Sequence, residues 1–432
     1  MTIHTGIQSF DAFVNFLLLI FVSYPILGAF CWLIGLMCYQ LIYRHRIVNY
    51  NKMSQKDEPF ITIMIPAHNE EIMIEQTINY LMNNLNYTNY EVLVVDDGSK
   101  DRTPEILQRL MIKYHNLKVV RIEKNQGKAH AFNIGLAFTK GEFVLSNDAD
   151  TIPEPDALWK YMNYFDAKNG KNIAAVTANM DVQNRDTIIA KSQTVEFASI
   201  VGVIKRSQVG VFGNMYAYSG ANTMYRRDAL IDVGLFRQDR ATEDISIAWD
   251  HQISGWSTVF APNIFFYMNV PDNLRSLFHQ RQRWAKGGTE VWLSNFWNIF
   301  THPFRFSRQI AFMIDNTFSI TWSFFYFLTL ILFCLSFAEF LVTGNYDQLA
   351  FMFAMSFIFV TFEMFAGLLQ LSSALIVDDR ARKFKYLIFM PFYSLIYWQV
   401  NSLAVVTTFI PAIQTIRGHG NGTWVSPTRH LQ

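Results

Sequence analysis

Short clusters of acidic and basic residues along the chain have the composition of sugar, phosphate or metal contacts. The first is Asp96-Asp97-Gly98-Ser99, where two acids follow the apolar run 91–95. A carboxylate placed there accepts hydrogen bonds from a nucleobase or ribose, but an ordinary Asp-Gly turn at a strand end explains the same residues. The second is Asp148-Ala149-Asp150, after the apolar run 143–145. In an extended chain residues i and i+2 point the same way, so these carboxylates can hold a divalent ion, Mg²⁺ or Mn²⁺, beside a diphosphate. A solvated acidic loop is the competing reading. The third is Thr242-Glu243-Asp244, before a helical segment at 245–253. Thr242 suits a helix N-cap, and the acids suit the positive end of the helix dipole. The functional reading makes Asp244 a general base that deprotonates an acceptor hydroxyl. The fourth is Gln280-Arg281-Gln282-Arg283-Trp284. Its arginines suit pyrophosphate oxygens and its Trp offers a face on which a sugar ring stacks, while a basic interfacial helix with a Trp anchor is the alternative. Smaller pieces point the same way: 66–70 for a base, Asn125-Gln126-Gly127-Lys128 with Lys128 reaching a phosphate, and Ser219-Gly220 approaching a sugar by its backbone.

These residues need a scaffold, and the pattern between about 59 and 265 supplies one. Short apolar runs at 60–65, 91–95, 117–122 and 142–146 predict strands. Helical spacing at 71–85, 103–114 and 128–138 predicts helices between them. The alternation argues for an α/β domain with a mainly parallel sheet covered on both faces. Ligands bind such sheets beyond the carboxyl ends of the strands, where the first two acidic clusters lie.

Very apolar ends flank this middle. The run 16–43 has no charged residue and is followed by Arg44, His45 and Arg46. It predicts one transmembrane helix, tilted or kinked at Pro25, with its C-terminal end in the cytoplasm. Three further apolar segments, 320–342, 349–377 and 386–413, predict a multi-pass membrane region. The basic break at 378–385 places the middle of the chain in the cytoplasm, while Pro391 and Pro411 leave a re-entrant or interfacial last segment open. Glu339, Glu363 and Gln370 either line a path through the membrane or hydrogen-bond between helices. The stretches 187–208 and 273–300 are expected on the membrane surface. A formal net charge of +1 gives no global basic field for nucleic acid. The three cysteines form no Cys-x-x-Cys pair and predict neither a zinc site nor a disulfide framework.

Taken in order, the acid after the second strand, Asp148-x-Asp150, Thr242-Glu243-Asp244 and Gln280-x-x-Arg283-Trp284 resemble processive family-2 glycosyltransferases, the cellulose, chitin, hyaluronan and poly-N-acetylglucosamine synthases. The segments 195–208 and 283–288, Tyr24-Pro25 and the tail 423–427 look most like the bacterial poly-β-1,6-N-acetylglucosamine branch. The resemblance implies a GT-A-like domain inserted between transmembrane helices. Its divisions would be 1–50 (membrane), 51–270 (catalytic), 271–310 (interfacial) and 311–432 (membrane region and tail). It implies inverting polymerisation of UDP-N-acetylglucosamine into an exported polysaccharide of the biofilm-matrix type, by a multi-pass protein of the bacterial cell membrane. A small membrane partner and contact with membrane lipid are also implied. Residue by residue, Asp97, with Asp96 beside it, binds the uridine part. Asp148 and Asp150 contact UDP and its metal, Lys128 and Glu243 contact substrate, and Asp244 is the base, with Asp150 counted beside it as catalytic. Gln280, Arg283 and Trp284 hold the pyrophosphate and the acceptor end. A transferase that places one sugar on a lipid carrier, or a synthase of the hyaluronan, chitin or cellulose type, is the alternative.

Overall fold

The computed structural model describes residues 8–43, 58–166, 170–378 and 382–419. The basic flank Arg44-His45-Arg46 and the tail 423–427 lie outside the described residues, as does part of the break at 378–385.

The middle of the chain folds around an eight-stranded sheet of order β3-β2-β1-β4-β7-β6-β8-β5. The strands are β1 Ile61–Ala67, β2 Tyr90–Asp97, β3 Leu117–Ile122, β4 Phe143–Asn147, β5 Ile152–Pro153, β6 Ile173–Val182, β7 Asn222–Arg226 and β8 Ser257–Met268. The period of two decides which face each residue covers. Ile61, Ile63 and Ile65 pack on one side with the helices Ile74–Asn84, Thr103–Lys113 and Ala157–Asp166. Met64, Leu93, Val95 and Val144 pack on the other with Phe132 and Leu136 of the helix Lys128–Leu136. Burial on both faces is why these strands read as continuous apolar runs.

The expected parallel arrangement holds for β3-β2-β1-β4 and again for β6-β8. The sheet as a whole is mixed, because β7 runs antiparallel between β4 and β6, and β5 antiparallel to β8. Sequence alternation could not show this, since β7 arrives after a long helical excursion and enters the sheet interior. The second strand also extends farther than its apolar run. Asp96 and Asp97 are its last two residues, paired with Arg121 and Ile122 of β3.

Among the described residues, four helical segments are long and apolar enough to cross a membrane: Ser23–Ile42, Ile310–Thr343, Tyr346–Val377 and Phe384–Gly418. The first belongs to a helix Gln8–Cys38 that runs through Pro25. The second helix starts ten residues before the apolar run predicted at 320, and its early turns carry Asp315 and Asn316. The last segment is a 3₁₀ turn at Phe384–Phe389, a π turn at Tyr393–Tyr397 and the helix Trp398–Gln414, which contains Pro411.

The stretch at 187–208 differs from a helix lying on a membrane surface. It forms a helical rod, Ile188–Phe197 and Arg206–Phe212 joined by the π-helical Ala198–Lys205, and most of it is buried. The sheet domain covers one side and membrane helices the other. Ser207 Oγ donates to Trp32 O at 2.7 Å, and Gln370 Nε2 donates to Ser199 Oγ at 3.1 Å, so Gln370 serves a helix–helix bond. The break at 378–385 docks on the domain too. Asp378 is fully buried, accepts from Asn179 Nδ2 and Lys383 Nζ at 2.7 Å each, and lies 3.9 Å from Arg206. The described ends of this break, Asp378 and Lys383, therefore pack against the sheet domain.

Candidate active site

A cavity of about 560 Å³ opens beyond the carboxyl end of β4. That volume is in the range of ligand pockets. Asp148, Asp150, Lys128, Glu243 and Asp244 line its domain side, and Gln280, Arg283 and Trp284 its outer wall. Asn316, Ser319 and Ile320 from one membrane helix and Val405 from another complete it. Three of the four clusters picked out in sequence thus meet in one space.

The Asp148-Ala149-Asp150 turn follows β4 directly. It is a tight turn closed by Thr151 N–H donating to Asp148 O at 3.2 Å, so the i, i+2 argument for an extended chain does not apply. The carboxylates still line the same cavity, Asp148 partly exposed and Asp150 buried. Asp148 Oδ1 accepts from Lys128 Nζ at 2.6 Å, and Lys128 also lies 3.1 Å from Glu243 Oε1 and donates to Gly220 O at 3.3 Å. Burial opposes the charge on Lys128, but Asp148, Glu243 and Asp244 outweigh it and hold this lysine above its ordinary range.

Asp97 explains how Lys128 is delivered. Its buried carboxylate accepts from Gly127 N–H at 2.8 Å and Gln126 N–H at 3.1 Å. Gly127 has φ +100°, a conformation open to glycine and strained for other residues. It ends the turn and starts the helix Lys128–Leu136. Asp96 Oδ1 accepts from Ser99 N–H at 3.0 Å, and Oδ2 faces Arg121 at 3.7 Å. Neither acid lines the cavity, so the structure separates this pair from the other clusters.

Thr242 stands at the N-cap position of the helix Glu243–Ile253, but its side chain makes no capping bond. Its hydroxyl is buried against Gly287. The helix start instead aims Glu243 and Asp244 into the cavity. Asp244 Oδ2 accepts from Gly220 N–H at 2.9 Å, and Oδ1 accepts from Ile245 N–H at 2.9 Å. Burial and then Glu243 push the Asp244 carboxyl up to about 6, against Lys128, the Gly220 N–H and Arg283. A base with that value is ionised at neutral pH yet basic enough to accept a proton in a transition state. Asp244 is a candidate general base, and in that role its protonation would give kcat/KM an acid limb near pH 6. A profile flat down to pH 4.5 would assign the base elsewhere. Ser219-Gly220 supports the same atoms. A methyl group on Gly220 would lie 3.0 Å from Glu243 Oε1, 3.1 Å from Lys128 Nζ and 3.3 Å from Asp244 Oδ2.

The fourth cluster divides. Arg281 turns inward, and its Nη2 pairs with the buried Glu196 of the rod at 2.6 Å. Its guanidinium lies 4.1 Å from the Trp284 ring centre. It does not line the cavity, so of the two arginines read as pyrophosphate ligands only Arg283 is placed for it. Removing one partner of such a buried pair costs roughly 3–5 kcal/mol, which ties the helix Leu274–Thr301 to the rod. Arg283 is exposed at the cavity wall. Gln280 Oε1 is buried there with no hydrogen-bond partner among the described residues, as expected of a polar group that meets a ligand.

Sequence reading passed over Lys205 and the Thr242–Gly287 contact. The basic pair Lys205-Arg206 at the end of the uncharged run 200–204 was the signal for the first.

A family model described as glycosyl transferase family 2 matches residues 62–234. The chain is 34% identical over 424 residues to a poly-beta-1,6-N-acetyl-D-glucosamine synthase of Staphylococcus epidermidis, covering 96% of this chain and 98% of that protein. The chain belongs to glycosyl transferase family 2. It is 32% identical over 425 residues to the synthase of the same name from Staphylococcus aureus strain COL, with 96% and 98% covered. Among solved structures it is similar to the mannosyltransferase PcManGT of Pyrobaculum calidifontis in complex with GDP-Man and Mn²⁺, at 19% identity and a TM-score of 0.55. That likeness covers 87% of this chain and 99% of the other and shows the shared fold. As a member of the family, this chain is a UDP-sugar-dependent, inverting glycosyltransferase with a GT-A-like domain between membrane helices.

Proposed function

We propose that this family-2 transferase polymerises N-acetylglucosamine from UDP-N-acetylglucosamine into an exported poly-β-1,6-linked polysaccharide. The observation that carries the reading is the shared cavity, in which catalytic carboxylates and membrane-helix residues face one another. The names of the relatives supply the sugar and the linkage. A product that forms beside Asn316, Ser319 and Val405 starts its path at the membrane helices.

In this reading Asp244 takes the proton from the acceptor hydroxyl as its oxygen attacks C1 of the donor sugar. The bond from C1 to the UDP oxygen breaks with inversion, and UDP leaves with the electron pair. Lys128 and Arg283 face the negative charge that builds on the diphosphate, the kind of stabilisation that usually dominates catalysis. Glu243 holds Lys128 in place, Trp284 gives the acceptor ring an apolar face, and the unpaired Gln280 oxygen accepts from a sugar hydroxyl. Asp96 and Asp97 act from the uridine end, Asp97 through the turn that it holds.

The donor set fits a hard divalent cation. Asp148 and Asp150 offer carboxylate oxygens at the cavity wall, and Asp148 already binds a cation in the form of the Lys128 ammonium. Among the described residues no group of three or more His, Cys, Asp or Glu is gathered, so remaining ligands would come from the diphosphate and water, as Mg²⁺ and Mn²⁺ commonly accept. Bound there, the metal would neutralise charge on the leaving diphosphate.

The proposed divisions are 1–50, 51–270, 271–310 and 311–432, with the catalytic domain cytoplasmic in a bacterial cell membrane. The docking of 378 and 383 on the domain supports a common side for that basic break and the domain. A small membrane partner belongs to the same reading.

Membranes containing the protein, given labelled UDP-N-acetylglucosamine and Mg²⁺, test this. Long polymer is expected from that donor, little from UDP-glucose or UDP-glucuronate, and none after chelation of the metal. Transfer of one sugar to lipid, with no longer product, would overturn the polymerase reading.

A further inference from the structure

Lys205 ends the π-helical stretch of the rod and lines the cavity together with Phe197 and Ile200. Only 7% of the residue is exposed. Its neighbour Arg206 turns the other way, donating to Gly202 O at 2.7 Å and reaching toward Asp378. The Lys205 ammonium makes no hydrogen bond or ion pair to any described residue, while the main chain of Lys205 is held in the helix. Burying an ammonium without a partner is costly, and fully satisfied buried polar groups are the rule in folded proteins. The exception at a cavity wall marks a place where a ligand supplies the missing acceptor. π-helical turns of this sort recur at functional sites.

The surroundings narrow the ligand. Lys128 and Arg283 already serve the diphosphate side, and Lys128 feels Asp148, Glu243 and Asp244. Lys205 lines the same cavity as Asp244, whose charge favours the ammonium form. It projects from the rod, which packs between the sheet domain and the membrane helices, so it approaches Asp244 from the membrane side. Burial pulls Lys205 down to about 8, with Asp244 holding it up, so it remains a charged donor at neutral pH.

We propose that Lys205 binds the acceptor: its ammonium donates to an oxygen of the terminal sugar of the growing chain, beside Asp244. This deepens the polymerase reading and rests on Asp244 as the base. A neutral sugar bearing hydroxyl and amide oxygens satisfies the ammonium without cancelling the charge that Arg283 and Lys128 present to UDP.

The test compares the detergent-solubilised full chain with its Lys205→Met and Lys205→Gln variants. Binding of a β-1,6-linked N-acetylglucosamine pentamer and of UDP is titrated separately by calorimetry. Methionine keeps the length of the side chain and removes the buried charge, so the fold is expected to survive, and a thermal melt with UDP checks it. The expected result is a pentamer affinity weakened ~10-fold to ~100-fold by methionine, from the loss of one charge-assisted hydrogen bond. UDP affinity should stay within about twofold, and glutamine, still a donor, should recover part of the loss. Equal weakening of UDP would assign Lys205 to the donor and overturn the proposal. Unchanged pentamer binding with slower turnover would also overturn it, leaving Lys205 as a counter-charge to Asp244. A wild-type chain that binds the pentamer without lengthening it would sink the polymerase reading, while the methionine comparison would still decide Lys205.

Discussion

Asp244→Asn is expected to lower turnover of UDP-N-acetylglucosamine by ~10²-fold to ~10⁴-fold, the usual worth of a positioned general base. The amide has the shape of the carboxylate, but its single oxygen keeps only one of the N–H bonds from Gly220 and Ile245, and it cannot take the acceptor proton. UDP affinity should stay within about threefold, because Lys128 keeps Asp148 and Glu243 as partners and Arg283 is untouched. Folding raises the Asp244 pKa from its ordinary value to about 6, so above that pH the native state disfavours the ionised form. An uncharged amide removes this penalty but gives up one N–H acceptor, two effects of opposite sign, so the variant should melt close to wild type at pH 7. Initial-rate assays and UDP titration on the same preparation check all of this. Near-normal turnover would remove Asp244 from the role of base, and a parallel collapse of UDP binding would make it a ligand instead.

Gly287→Ala is expected to be nearly as damaging, for a purely steric reason. A methyl group built on Gly287 would sit 1.9 Å from Thr242 Oγ1 and 2.7 Å from Thr242 Cβ and Cγ2. Gly287 is in the middle of the helix Leu274–Thr301, and Thr242 is at the start of the helix that carries Glu243 and Asp244. The two helices must move apart, and Asp244 moves with one of them. A displacement of about 1 Å at a reacting group costs on the order of 10²-fold in rate. Adding Thr242→Gly should restore much of the activity, because it removes the colliding side chain, whose hydroxyl has no hydrogen bond to a described residue to lose. Turnover of the single and double variants, with melting temperatures, measures the coupling. Full activity in Gly287→Ala alone would show that the helices adjust without moving the base.

Local signals in the chain were enough for much of this protein. Long apolar runs, nearly free of charge, marked the membrane segments, since a bilayer core demands about 20 apolar residues from any helix that crosses it. Short runs with helical spacing between them marked β1 to β4; in β1, β2 and β4 burial on both faces leaves little polar pattern to misread, while the edge strand β3 is only partly buried. The acids before glycine turns and helix starts marked the ends of those elements.

What local pattern could not reach was which groups share a space. Asp97 and Asp148 both close apolar strands, yet one carboxylate is consumed by the main chain of 126–127 and the other faces the cavity. That difference depends on the loop that packs against each strand end, tens of residues away. Arg281 and Arg283 look equivalent in the chain, but residues two apart on a helix point in nearly opposite directions. The partner Glu196, supplied by a distant rod, decides which one is buried. The insertion of β7 between β4 and β6, the approach of Gly287 to Thr242, and the unpaired Lys205 behind Asp244 belong to the same class. Periodicity reports which faces of an element are buried. Only the tertiary structure brings together side chains that are far apart along the chain, and the chemistry of this site lies between such side chains.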